Sequence, residues 1–160
     1  MTKNRHIGPP RPLRLPVLLI VFSIIVGTNL QSRPGYADNP KDIFIVVSKN
    51  SPVDKISVDE VVALFLKRRT SFSNGDNAIP INPTDSELRE SFRSLVLNKS
   101  EAEENKYWLN FAIRSGQSPP PTLPQPLKAV FKLPKGISYV FREDMIDAVA
   151  KVVLVIPANQ

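Results

Sequence analysis

The run Ile43-Phe44-Ile45-Val46-Val47 passes directly into Ser48-Lys49-Asn50-Ser51-Pro52. Five apolar residues in a row, four of them β-branched, show no polar face. That is the pattern of a buried central strand rather than a half-exposed one, and the Ser/Asn/Pro segment is its exit loop. Ser57-Val58-Asp59-Glu60 then has the form of a capping box, and Val58, Val61, Val62 and Phe65 recur at helical spacing. A helix is expected over about 58–67, closed by the cations Lys67-Arg68-Arg69.

Further along, Ser73-Asn74-Gly75-Asp76 reads as a turn, and Ala78-Ile79-Pro80-Ile81-Asn82 as a short strand that Pro80 keeps near an edge. Thr84-Asp85-Ser86-Glu87 has the form of a second capping box, followed by Leu88, Phe92, Leu95 and Val96 on one helix face. A third box, Ser100 to Glu103, opens a helix carrying Tyr107, Trp108 and Phe111, an aromatic cluster expected in the core. Glu101, Glu103 and Glu104 lie in that helix's first turn, where carboxylates complement the dipole, so no metal site is expected. The proline-rich stretch from Ser115 to Pro126 suits a semi-rigid crossover better than a Pro-x-x-P ligand. A short helix over 127–131, a turn at Gly136, a strand over 137–141, a helical turn over 143–148 and a last strand over 152–156 complete the pattern. Strands alternating with helices make this an α/β domain with a mixed or mostly parallel sheet.

Upstream of the first strand, basic residues from Lys3 to Arg14 precede an apolar run from Val17 to Val26, and Gly35-Tyr36-Ala37 follows as a small-x-small triplet. These are the three parts of a secretory signal peptide, expected at 1–37 with the working domain at 38–160. A periplasmic or secreted location follows. An uncleaved membrane anchor is the alternative, although Pro16 and the polar residues from Thr28 leave the apolar core short of a full span.

Five of the 21 basic residues and none of the 15 acids precede position 38, so the remainder is nearly balanced at 16 to 15. A nucleic-acid partner is not expected from such a surface. The chain has no cysteine, and its single histidine, His6, lies in the signal segment. That removes Ser-His-Asp and Cys-His nucleophiles, His- or Cys-built metal sites and thiol chemistry. The glycines after position 37 stand alone, so there is no Gly-rich nucleotide loop. Neither an enzyme nor a cofactor is expected.

The order of these pieces, with Phe72 to Asp76, Ile79 to Asn82, the Ser-x-x-Arg-x-x-Phe helix start at Ser86, Arg89 and Phe92, Tyr107-Trp108, and Gly136 to Val140, resembles one lobe of the phosphate-binding proteins of ABC transporters. That family lies within the type 2 periplasmic binding proteins, and the likeness is greatest to its short, single-lobe secreted forms. It spans about Ile43 to Ile156. The resemblance implies a phosphate or other oxyanion held at a helix N-terminus. In the family's Arg-x-Asp/Glu-Gly-Ser-Gly-Thr segment the serine falls on Ser86, while Asn82, Asp85, Glu87 and Leu88 replace the arginine, the two glycines and the threonine. The implied half-site is therefore Ser86 with Arg89 one turn later, aided by Ser48 and Ser51, and it is weak because Asp85 and Glu87 oppose an anion. The alternative reading is a ligand-free module on the same fold that binds another envelope protein.

Overall fold

The computed structural model describes residues 39–158; the expected signal segment lies outside them. Strand β1 (Ile43–Ser48) is the centre of a four-stranded sheet. It pairs antiparallel on one side with β5 (Gly136–Phe141) and on the other with β6 (Ala150–Ile156). The short strand β2 (Ile79–Pro80) adds to the far side of β5 in parallel, giving the order β2-β5-β1-β6. The α/β expectation with a mixed sheet is borne out, and the parallel pairings are the two shortest ones.

The apolar run in β1 is explained by what covers it. Ile43, Ile45 and Val47, with Ile137, Tyr139 and Phe141 of β5, enter one core together with α1 (Val58–Phe65) and α2 (Ser86–Leu95). Val46 and Val140 enter a second core on the opposite face with Val130 of α4 (Pro126–Lys132). Alternate residues of one strand thus serve two helical layers, and neither face can be polar. The pairing of β1 with β6 shifts register between Ile45 and Val46.

Ser57 caps α1 as expected, its hydroxyl accepting from the Glu60 N–H at 3.2 Å. The box is incomplete, because the Glu60 carboxylate turns away to accept from the Ser73 N–H at 2.6 Å and hydroxyl at 2.7 Å. It ties the 73–76 turn to the helix instead. The basic triplet does not close α1 through its side chains. Lys67 adopts φ 51°, the Arg68 and Arg69 N–H groups donate to the Ala63 carbonyl, and Lys67 Nζ reaches the Ser118 carbonyl.

The expected strand over 78–82 is split in two. Pro80 ends β2, buried Ile81 bonds its N–H to Ile137, and β3 (Asn82–Pro83) leaves for a separate two-stranded sheet with β4 (Thr122–Leu123). The proline-rich crossover therefore contains a two-residue strand at an edge, where a missing N–H is tolerated. Gly136 is the first residue of β5 rather than a turn: a Cβ there would stand 3.0 Å from the Leu133 carbonyl oxygen.

Helix α3 (Glu101–Ser115) has the complete capping box of Ser100 and Glu103 and ends at Gly116 in the left-handed conformation. Hydrogen bonds from the Ser100 N–H and then its hydroxyl hold the Glu103 carboxyl below its ordinary range. The core role expected for Tyr107, Trp108 and Phe111 is found only at the core's edge. Tyr107 and Trp108 are half-buried and pack against the main core, α3 itself has no buried residue, and Tyr107 stacks on Phe111 while Trp108 meets both rings edge-on. Beside them Leu109 and Ile113 are 64% and 74% exposed.

Candidate functional site

Helix α2 begins immediately beyond β3, so its first turn is fixed by a strand end. Its cap is Asp85, not Thr84: Asp85 Oδ1 accepts from the Leu88 N–H at 2.8 Å. The expected box is displaced by one residue, which puts Ser86 at the first helical position and leaves Glu87 without a capping role. Glu87 instead meets Lys41 at 3.2 Å. Lys41 also holds Glu143 at 3.2 Å and lies 4.4 Å from the centroid of the Phe141 ring. Hydrogen bonds to Glu143, then to Glu87, raise the Lys41 ammonium above its ordinary range.

Helical spacing places Ser86, Arg89, Glu90, Arg93 and Ser94 on one stripe of α2. This stripe faces Lys99, Ser100 and Glu101 at the start of α3 across a groove of about 420 Å³. Ser86 and Arg89 are thus brought together as expected. Two further cations, Arg93 and Lys99, share the groove, which sequence spacing alone did not single out. Arg93 is committed elsewhere: its Nε donates to Glu104 Oε2 at 2.7 Å, with the two side chains 13% and 15% exposed. Arg89 is half-buried, and among the described residues it forms no ion pair. It lines a small cavity together with Tyr139, whose hydroxyl donates to Asn82 Oδ1 at 3.2 Å. Burial pushes the Tyr139 hydroxyl far above its ordinary range, so it stays protonated.

Ser48 and Ser51 do not join this site. Both are buried, at 1% and 5% exposure. Ser48 Oγ accepts from the Asn50 N–H and Ser51 Oγ from the Val53 N–H, so each hydroxyl serves its own turn. The reason for the correction is strand direction. β1 runs antiparallel to β5 and β2 runs parallel to β5, so the chain leaves β1 at the end opposite to the start of α2. Lys41, just before β1, touches Glu87, whereas Ser48 lies the length of the strand away, roughly 16 Å at about 3.3 Å per residue.

Ser86 also borders a larger cleft of about 760 Å³ on the other side of the α2 start, between that turn, the 124–128 segment and residues 140–146. Among the described residues no cluster of His, Cys, Asp or Glu has the arrangement to hold a metal ion, and no helix is long and apolar enough to cross a membrane.

No protein-family model and no curated protein matches the chain. Among solved structures, the chain is similar to one from Clostridium perfringens, described as a phosphate ABC transporter substrate-binding protein with bound phosphate. The identity is 16%, the TM-score is 0.50, and the match covers 69% of this chain. The chain spans 43% of the length of that structure. At this identity the likeness is one of fold: the described domain shares an α/β fold with part of that structure.

Proposed function

We propose that the chain is an exported solute-binding-type protein whose described lobe takes phosphate or a similar oxyanion weakly in the groove of Ser86 and Arg89. The observation that carries this reading is Arg89: a half-buried guanidinium without a carboxylate partner among the described residues, sharing a groove with the Ser86 hydroxyl. The bound phosphate of the Clostridium perfringens structure supports the ligand class. Arg offers paired N–H donors to a tetrahedral oxyanion. Affinity is limited because Glu90 and Glu101 border the same groove.

Calorimetry with phosphate on the full-length protein tests this. Dissociation in the millimolar range is expected, about −4 kcal/mol, and Arg89→Gln should weaken it about tenfold or more. Binding that is indifferent to Arg89 would move the site elsewhere. If neither phosphate nor sulfate gives heat, the lobe is better read as a protein-interaction module, a reading favoured by the exposed Leu109 and Ile113 on α3.

Export is the second part of the proposal and rests on the segment before Asp38. N-terminal sequencing of the protein recovered from the cell envelope should begin at Asp38. A chain still starting at Met1 and resisting carbonate extraction would mean a retained anchor.

A further inference from the structure

We infer that the cleft on the other side of the α2 start is a second binding site, for a small apolar solute that carries an ammonium group. Its volume, about 760 Å³, is in the range of small-molecule sites. Leu88, Pro124, Leu127, Val140 and Ile146 supply apolar walls. Prolines at 83, 124 and 126 hold the segments around it in fixed conformations, so little order has to be gained on binding.

The charges on its rim choose the ligand. Asp85 and Asp144 line the cleft against a single cation, Lys128. None of the three forms an ion pair among the described residues. Their neighbours in sequence, Glu87 and Glu143, are both gripped by Lys41, and this clamp fixes the two turns that carry Asp85 and Asp144. Asp85 uses Oδ1 to cap the Leu88 N–H, which leaves Oδ2 for a ligand. A helix N-terminus attracts anions with only about half a positive charge, and here a full carboxylate occupies it. The rim therefore carries net negative charge and favours an amine over a carboxylate or phosphate. This separates the cleft from the Arg89 groove, although Ser86 borders both.

The test is an amide-shift titration of the full-length protein with phenethylamine and, separately, with its anionic analogue hydrocinnamate. Phenethylamine should shift the amides of residues 85–88, 127–128 and 146, and hydrocinnamate should bind about fivefold more weakly or worse. Asp85→Asn combined with Asp144→Asn removes both charges while asparagine keeps the cap, and it should weaken the amine about fivefold. Should that double variant fold poorly, Lys128→Glu tests the same point with the opposite sign and should tighten amine binding. Hydrocinnamate binding as well as the amine, amine binding unchanged in both variants, or no shift with either compound overturns the inference.

Discussion

Phe92→Ala is expected to lower the unfolding free energy by about 3–5 kcal/mol, the range for deleting a fully buried aromatic side chain. Phe92 is 2% exposed and joins α2 to the sheet. Its ring stacks on Tyr139 of β5 with centroids 3.8 Å apart and planes 7° apart, and it meets Phe65 of α1 at 4.9 Å. Phe65 in turn meets Tyr139 edge-on at 5.4 Å, so one truncation loosens contacts among three elements. The hole would lie against Tyr139, which lines a small cavity with Phe92 and Arg89, so weaker phosphate binding should accompany the lost stability. Trp108→Ala should cost less, about 1–2 kcal/mol, because Trp108 packs at the edge of the core and stays partly open to solvent. Urea melts of the two variants decide the matter. Equal losses would mean that α3 is packed as deeply as α2, contrary to the structure.

The second large effect is expected at Glu104. Its carboxylate accepts from Arg93 Nε at 2.7 Å and from Trp108 Nε1 at 3.4 Å, and it is what fastens α3 to α2. Glu104→Ala leaves a mostly buried guanidinium without its counter-ion. Complete burial would make such a loss about 3–5 kcal/mol, and with the residual exposure here about 2 kcal/mol is expected. Replacing both partners, Arg93→Met with Glu104→Leu, should recover most of that loss, because no charge then remains to be solvated. A double-mutant cycle on melts gives the coupling directly. A cycle with no coupling would show that α3 is held by its aromatic rings alone. The freed Arg93 should also join Arg89 in the groove, so Glu104→Ala is expected to bind phosphate more tightly than the wild-type protein at low salt.

Local signals carried most of the elements. The apolar run at Ile43, the hydroxyls of Ser57 and Ser100, and the glycine at 116 each act within a few residues, and each has its expected role or adjoins the expected boundary. The start of α2 was harder, since Thr84 and Asp85 are both good caps and the choice between them depends on where the β3–β4 pairing releases the chain. The depth of Trp108 was harder to read for a similar reason: aromatic residues at helical spacing show that a face is apolar, not how deeply its surroundings cover it. The site was half legible. Ser86 and Arg89 are one turn apart on one helix, so their meeting follows from periodicity. Joining them to Ser48 and Ser51 required the direction of β1 relative to β5, which no local pattern contains.

The position of β1 also bears on how the chain acquires its structure. Its two partners come from the opposite end of the described chain: Val47 pairs with Ile137, and Ile43 with Ile156. The central strand is therefore synthesised well before its partners, and the sheet cannot be completed until β5 and β6 have followed. Folding of high contact order is slow, because distant segments must meet before their contacts stabilise anything. A nascent chain of this topology stays open and apolar while it is being made. That is a hazard for a protein kept in the cytoplasm, where the Ile43–Val47 segment invites aggregation. For a polypeptide that must be threaded unfolded through a membrane pore it is an asset, since the same delay prevents a premature core from blocking passage.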